Sequence, residues 1–113
     1  METIDALSSL AALAHASRLA VFRLLVQAGP SGLAASKIAQ QLALPASSLS
    51  FHLKELSHAK LVVAMPQGRS IIYAAQFATI NQLLAYLTEN CCGGGEVDPA
   101  CNPLSSLTCN DSK

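Results

Sequence analysis

The hydrophobic pattern of this chain switches from helical spacing to strand-like runs at one place, immediately after Lys60. Before that point apolar residues recur every three or four positions, which is the spacing of amphipathic helices. Two runs rich in β-branched residues follow at 61–65 and 70–74, and they flank residues 66–69, so they predict a β-hairpin. Helical spacing then returns at 77–90, and its predicted inward residues are Ile80, Leu83, Leu84 and Leu87. The 113 residues leave room for one small domain.

The element order predicts the architecture. Helical spacing before the hairpin defines four segments, near residues 4–14, 19–26, 35–42 and 45–59. A short helix, a tight turn and a longer helix form a helix-turn-helix, and a hairpin with a basic tip after it forms a wing. The sequence therefore predicts a mainly α fold with a β-hairpin wing, in the order α-α-α-α-β-β-α. We expect this winged helix-turn-helix domain to occupy residues 1–90, followed by a cysteine-rich tail at residues 91–113.

The formal net charge of zero hides an uneven distribution. Between residues 6 and 88 there are six basic side chains, and Glu55 is the only acid. The other acids cluster at the two ends of the chain, so a basic body lies between acidic ends. A basic body is the electrostatic signature of a protein that binds phosphates, and it suggests a nucleic acid partner.

Several classes of function are disfavoured by the sequence. The body contains no nucleophile–base pair, no phosphate-binding loop and no pair of carboxylates, so we expect neither an enzyme nor an organic cofactor. No apolar run reaches the ~18 residues that a membrane span needs. The first residues lack the positive start of a signal peptide. We therefore expect a cytoplasmic protein with no membrane partner.

The helix at 45–59 is the candidate for contacting DNA. Leu49, Leu53 and Leu56 share its predicted inward face. When Leu49 is placed at the centre of that face, Phe51 and Lys54 point away from the core. Small hydroxyls near the helix start can approach bases and phosphates, a lysine suits a phosphate, and an exposed aromatic ring suits a thymine methyl group. The candidate DNA-binding residues are Ser47, Ser48, Ser50, Phe51, His52, Lys54 and, at the hairpin tip, Arg69. Taken singly, the serines could instead be turn or cap residues, and His52 could be a core histidine.

All four cysteines lie beyond residue 90, at Cys91, Cys92, Cys101 and Cys109. A disulfide framework would spread cysteines through the fold, so this cluster indicates a metal or redox site. Adjacent helical residues point about 100° apart, and the glycines at 93–95 allow the chain to turn back so that a third thiolate can join Cys91 and Cys92. The shorter loop and Pro99 favour Cys101 as that ligand, with Cys109 as the second choice.

Three thiolates with no neighbouring histidine suit a soft trigonal ion such as trivalent arsenic or antimony. Structural zinc usually takes four ligands from spaced cysteine pairs. Another soft metal, a redox pair and incidental thiols remain open as alternatives. A further rival is a thiol metal carrier that does not bind DNA.

Several short motifs resemble the ArsR/SmtB family of winged-helix metal-responsive repressors. The run Ser50-Phe51-His52-Leu53-Lys54 is similar to the family's Ser-x-His-Leu-Lys core, and residues 56–62 are similar to its Leu-x-x-Ala-Gly-Leu-Val. Gln67-Gly68-Arg69 followed by Tyr73 resembles its wing, and residues 16–22 resemble the start of its second helix. The chain departs from the family pattern in three places: Phe51 stands where arginine is common, Lys60 where glycine is usual, and Ala16 where proline is usual.

The resemblance implies a homodimer in which the first and last helices form the interface. It also implies an inverted-repeat operator and repression that an inducer relieves. Family members that sense arsenic use three cysteines, and one subgroup carries a Cys-Cys pair just past the last helix, which Cys91 and Cys92 match. The resemblance thus implies a repressor released by trivalent arsenic or antimony through Cys91, Cys92 and one cysteine downstream, for which Cys101 is the first choice and Cys109 the second.

Overall fold

The computed structural model describes residues 1–89, and the tail predicted at residues 91–113 lies outside these described residues. Its helices and strands, in chain order, are α1 (Thr3–Leu13), α2 (Ala16–Ala28), β1 (Leu33–Ala34), α3 (Ala35–Leu42), α4 (Ala46–His58), β2 (Val62–Gln67), β3 (Ser70–Ala75) and α5 (Phe77–Leu87). The prediction of a mainly helical fold with a hairpin wing is confirmed.

The small sheet contains one strand that the sequence did not predict. β1 pairs antiparallel with β3, so the strand order is β1-β3-β2. A strand of two residues cannot show a period of two, and this is why the hydrophobic pattern missed it. Gly32 precedes β1 with φ +70°, and a Cβ atom there would overlap the carbonyl oxygen of Tyr73. This position therefore needs glycine for both its backbone conformation and its close approach to β3.

The hydrophobic core lies around α4. Its predicted inward residues Leu49, Leu53 and Leu56 are all buried. Burying each of these leucine side chains contributes about 1.5–3 kcal/mol relative to exposure, and this attachment fixes which side of α4 faces solvent. The buried residues that form the core with them are Ala12, Val21, Phe22, Leu25, Ile38, Ala59, Leu61, Val62 and Ala75.

The turn between α3 and α4 sets the direction in which α4 leaves the core. Ala43 adopts a left-handed conformation, with φ 54° and ψ 44°. The N–H of Leu44 donates to the carbonyl of Ala39 at 3.0 Å, which closes the end of α3 as a Schellman-type cap. Pro45 is then the N-cap of α4, one position earlier than the first-turn place predicted for it. The half-buried Leu44 packs against the core and holds this turn in place.

The first helix buries its small side chains and exposes its large ones. Ala6, Ser9 and Ala12 face inward. Ile4, Leu7 and Leu10, which we call the α1 face, lie outward, with Ile4 75% and Leu7 61% exposed. On α5 the prediction that Leu87 faces inward is wrong, because this residue is 54% exposed while Leu83 is buried. The hydroxyls of Thr3 and Tyr86 are hydrogen-bonded, so the first residue of α1 is adjacent to the last turn of α5.

Within residues 1–89 no single helix is long and apolar enough to cross a membrane. Only α1 and α2 taken together have the length and apolar composition of a membrane-spanning segment, and this pair is bent by 100° at its junction.

Candidate nucleic-acid interface

One side of α4 presents a continuous row of polar and aromatic side chains to solvent. Ser47, Ser50, Phe51 and Lys54 are exposed, and Ser48 is half-buried at the edge of the row. Phe51 is 55% exposed, although burying a phenylalanine side chain is normally favourable. We call these residues the α4 row. Five of the seven predicted DNA-binding residues therefore share one surface, with the hydroxyls near the helix start and the lysine further along.

His52 is the exception among the predicted residues of α4. It is only 8% exposed and lies among the inward side chains of the helix. Its burial does not fit the expectation that the side chain contacts DNA, and it agrees with the alternative of a core histidine. The ring is near Phe51, with the two ring centroids 6.1 Å apart in an edge-on arrangement. The side chain of His52 therefore lies between the core and the α4 row.

His52 also contacts a residue that the sequence analysis did not single out. The rings of His15 and His52 are 4.8 Å apart between centroids and tilted by 49°. Burial lowers the pKa of His52 below the ordinary histidine value of 6.5, and the neighbouring His15 and Arg18 lower it further. Burial has this effect because a charged imidazolium loses its hydration when it is enclosed. The 37 positions that separate the two histidines in sequence gave no local signal of this contact.

The hairpin places Arg69 at its tip. Gln67 and Ser70 are paired across the strands, so Gly68 and Arg69 form a two-residue turn, which is tighter than the predicted tip at residues 66–69. Gly68 has φ +61°, a conformation that suits glycine at the first position of such a turn. Arg69 is exposed and lines a cleft together with Ser70, Tyr73 and Ser36 at the start of α3. A guanidinium beside hydroxyl groups is well suited to bind a phosphate.

The predicted metal ligands cannot be placed in the fold, because Cys91, Cys92, Cys101 and Cys109 lie outside the described residues. Within residues 1–89 no three His, Cys, Asp or Glu side chains are grouped so that they could hold a metal ion. The site prediction for the cysteines therefore stays a prediction.

Comparisons with known proteins agree with this geometry. A helix-turn-helix domain family model matches residues 13–63, which include α3, the turn and α4. An ArsR-like transcriptional regulator from Rhodococcus sp. RHA1 is similar in structure with a TM-score of 0.67 and 28% identity, covering 74% of this chain and 76% of that one. NolR from Sinorhizobium fredii has a TM-score of 0.61 and 28% identity, covering 75% and 82%. No curated protein matches the sequence significantly.

A third similar structure is a homodimeric winged helix-turn-helix DNA-binding domain from Mycobacterium bovis. It has a TM-score of 0.62 and 20% identity, and the match covers 83% of this chain and 87% of that one. The chain thus contains a helix-turn-helix domain and has the winged-helix DNA-binding fold of ArsR-family transcriptional regulators.

Proposed function

We propose that this protein is a dimeric transcriptional repressor that binds an inverted-repeat operator and is released when trivalent arsenic or antimony binds Cys91, Cys92 and Cys101. The observation that carries the DNA-binding part is the α4 row. Buried leucines fix the opposite side of α4, so the exposed hydroxyls, the aromatic ring and Lys54 are presented as a rigid surface. A helix presented in this way fits the major groove, with base contacts near its start and phosphate contacts beyond.

Charge supports the same proposal. Among residues 6–88 the basic side chains outnumber the single acid Glu55, and Lys54 and Arg69 are exposed on α4 and on the wing. Each phosphate contact releases condensed counterions, so such a surface binds DNA more tightly at low salt. In a dimer Lys54 and Arg69 would each be present once in each subunit, which doubles the number of possible phosphate contacts.

The α1 face supports the dimer. Three large apolar side chains in sequence spacing i, i+3, i+6 are exposed on α1. Leu87 of α5 is also exposed, and it follows Tyr86, which is hydrogen-bonded to Thr3 of α1. Exposed apolar surface of this kind typically marks a protein–protein interface. A second copy of the chain presents the same patch, and a two-fold axis would join the two self-complementary surfaces. Two α4 helices related by such an axis match an operator with inverted symmetry.

The metalloid part of the proposal depends on the chemistry of the tail. Three thiolates are soft ligands and select soft ions such as trivalent arsenic and antimony. The proposed ligands follow the end of α5, which lies beside α1 through the Thr3–Tyr86 hydrogen bond. Binding at that point would therefore act on the elements proposed to form the dimer interface.

The proposal is tested with the purified full chain and a library of random-sequence DNA duplexes. We expect repeated selection to enrich an inverted repeat, and a gel shift on the selected duplex should be lost when arsenite is added. Failure to enrich any sequence, with binding that is equal on all duplexes, would contradict operator recognition. Release by an oxidant or by another soft metal but not by arsenite would favour the alternative inducers, and arsenite binding without any DNA binding would favour the metal carrier.

Phe51 is expected to contribute to sequence recognition. Phe51→Ala should lower the affinity for the selected duplex by about 1–3 kcal/mol if the ring packs on a thymine methyl group. Because the side chain is exposed, the free energy of unfolding should change only by the loss of its edge contact with His52, about 0.5–1.5 kcal/mol. Fluorescence anisotropy and urea unfolding measure the two quantities. Val26→Ala, at another exposed apolar residue, is the control and should leave DNA affinity unchanged.

Arg69 is expected to bind the DNA backbone. Arg69→Ala should weaken binding to all sequences by a similar factor, and it should reduce the slope of log affinity against log salt by about one for each subunit that loses a phosphate contact. Titrations at several salt concentrations with the selected and a scrambled duplex measure this. Arg23→Ala removes another exposed arginine, on α2, and serves as the control. A change in base preference in Arg69→Ala would show that the wing reads bases.

A further inference from the structure

His52 is a buried ionisable group that the proposed DNA contacts do not use. It is 8% exposed, and within residues 1–89 its Nδ1 atom is enclosed without any hydrogen-bond partner. A buried polar atom without a partner is destabilising, so this position carries a cost that an apolar core residue would avoid. The ring of His52 has two aromatic neighbours, which are His15 and, at the edge of the α4 row, Phe51.

The ring that packs on the inner side of His52 belongs to His15. His15 is the N-cap of α2, and its Nδ1 atom accepts a hydrogen bond from the backbone N–H of Ser17 at 3.1 Å, so this ring is held in place. With the ring centroids 4.8 Å apart, two positive charges on His15 and His52 would repel each other strongly.

Within residues 1–89, no acid is among the groups that act on His52, so nothing there balances a positive charge on its ring. Of the elements that pack against α4, the one other charged group facing His52 is Arg18 of α2, whose Nε donates to the carbonyl of Ala12 at 2.8 Å. The remaining ionisable side chains on these elements and on α4 itself are Asp5 of α1, Arg23 of α2, Lys37 of α3, and Lys54, Glu55 and His58 of α4, while β2 has none. Burial lowers the pKa of His52 most, and the neighbouring His15 and Arg18 lower it further.

We propose that the His15–His52 contact makes the position of α4 sensitive to mild acid, so that protonation of His52 against the His15 ring reduces the preference of the protein for its operator over other DNA. His52 acts here as a positioning residue, since it supports Phe51 and the α4 row from behind. This inference depends on the proposed DNA-binding function. A histidine that gained a proton at an exposed surface would instead strengthen binding to phosphates, so the direction of the effect is distinctive.

The sign of the stability change follows from proton linkage. The unfolded chain binds a proton at His52 near pH 6.5, and the folded chain binds it only at a lower pH because its pKa is lowered. At pH values below 6.5 the unfolded state therefore binds more protons, and the folded state loses stability. The contribution of neutral His52 is complete above pH 6.5 and is lost progressively as the pH falls below it. With one proton per subunit, the unfolding equilibrium constant rises by at most about tenfold per pH unit.

The experiment compares the full chain with three variants between pH 8 and pH 5 at constant ionic strength. His52→Gln removes the titrating ring, His15→Asn removes the second ring but keeps an N-cap acceptor, and His58→Asn removes an exposed histidine of α4 as the control. Urea unfolding gives the stability, and fluorescence anisotropy gives the ratio of affinities for the selected and the scrambled duplex. NMR of the ring protons gives the pKa of His52 in the unsubstituted protein.

We expect the affinity ratio and the stability of the unsubstituted protein and of His58→Asn to fall below pH 6.5. For each protein the affinity ratio and the stability are plotted against pH relative to their values at pH 7.5. Both curves should fall less steeply in His15→Asn and least steeply in His52→Gln. An unchanged profile in a folded His52→Gln, or a His52 pKa at or above 6.5 by NMR, would overturn the inference. The NMR titration decides the question even if His52→Gln does not fold. Absence of a selected duplex at pH 7.5 would instead count against the proposed function.

Discussion

Replacing Leu7 with glutamate is expected to convert the protein to monomers and to remove operator binding. Leu7 lies at the centre of the α1 face and is 61% exposed in the single chain, so the substitution should not disturb the fold of the subunit. In a dimer the carboxylate would be buried against apolar side chains, at a cost of several kcal/mol for an unpaired charge. A monomer offers only one α4 to an operator that needs two, so the specific affinity should fall below detection.

The measurements are light scattering for the mass and a gel shift for DNA binding. Monomers should have the mass of one chain, 11.8 kDa. Leu19→Glu is the matched control, because it places the same charge at an exposed leucine of a different helix, near the start of α2. If Leu7→Glu stays dimeric and binds the operator, the α1 face is not the interface. If Leu19→Glu is also monomeric, the interface extends to α2.

Loss of any one of three thiols is expected to abolish the response to arsenite while leaving repression intact. Cys91→Ser, Cys92→Ser and Cys101→Ser each replace a soft thiolate by a hydroxyl, which is a poor ligand for trivalent arsenic. Cys109→Ser is the control and should still respond. The preference for Cys101 over Cys109 is modest, since doubling the length of a flexible loop costs only about 0.6 kcal/mol.

DNA affinity with and without arsenite measures this response, and X-ray absorption spectroscopy of bound arsenic counts its sulfur neighbours. The count should be three for the unsubstituted chain. A response lost in Cys109→Ser and kept in Cys101→Ser would exchange the third ligand and preserve the trithiolate. A normal response in all four variants would contradict a three-thiolate site.

The structure offers a physical reason for the expected release of DNA. The described part of α5 ends at Leu87, where the hydroxyl of Thr88 donates to the carbonyl of Leu84 at 2.8 Å. Tyr86, in the last turn, is hydrogen-bonded to Thr3 at the first residue of α1. Drawing Cys91 and Cys92 together would pull on this helix end, and the change would reach the α1 face through the Thr3–Tyr86 pair. The separation of the two α4 helices in the dimer would then change.

The helices and strands of this fold could be predicted from the sequence where a segment was long enough to show its hydrophobic period. Four turns of helical spacing identified Leu49, Leu53 and Leu56 as the inward side of α4, and this placed Phe51 outward correctly. The α1 helix was harder, because the side that packs inward carries only the small residues Ala6, Ser9 and Ala12, while the larger apolar residues lie on the exposed side. A period shows that apolar stripes exist, but it does not show which one packs within the subunit.

The candidate site was predictable in part for a similar reason. The α4 row follows from the geometry of a single helix, and Arg69 follows from a two-residue turn. The contact between His15 and His52 depends on how α2 and α4 pack, so no local pattern contains it. The cysteine site rests on ligand chemistry alone, since its residues lie outside those that the structure describes.

The position of Phe51 against His52 also limits how such a protein can acquire a new target sequence. Most of the α4 row could mutate freely, because Ser47, Ser50 and Lys54 are exposed and their replacement leaves the core unchanged. Phe51 is different, since its ring contacts a buried residue that in turn packs on the α1–α2 junction. A mutation there changes recognition and stability together. Divergence of duplicated copies toward new operators would therefore proceed first through the serines, and a change at Phe51 would require a compensating change at His52 or His15.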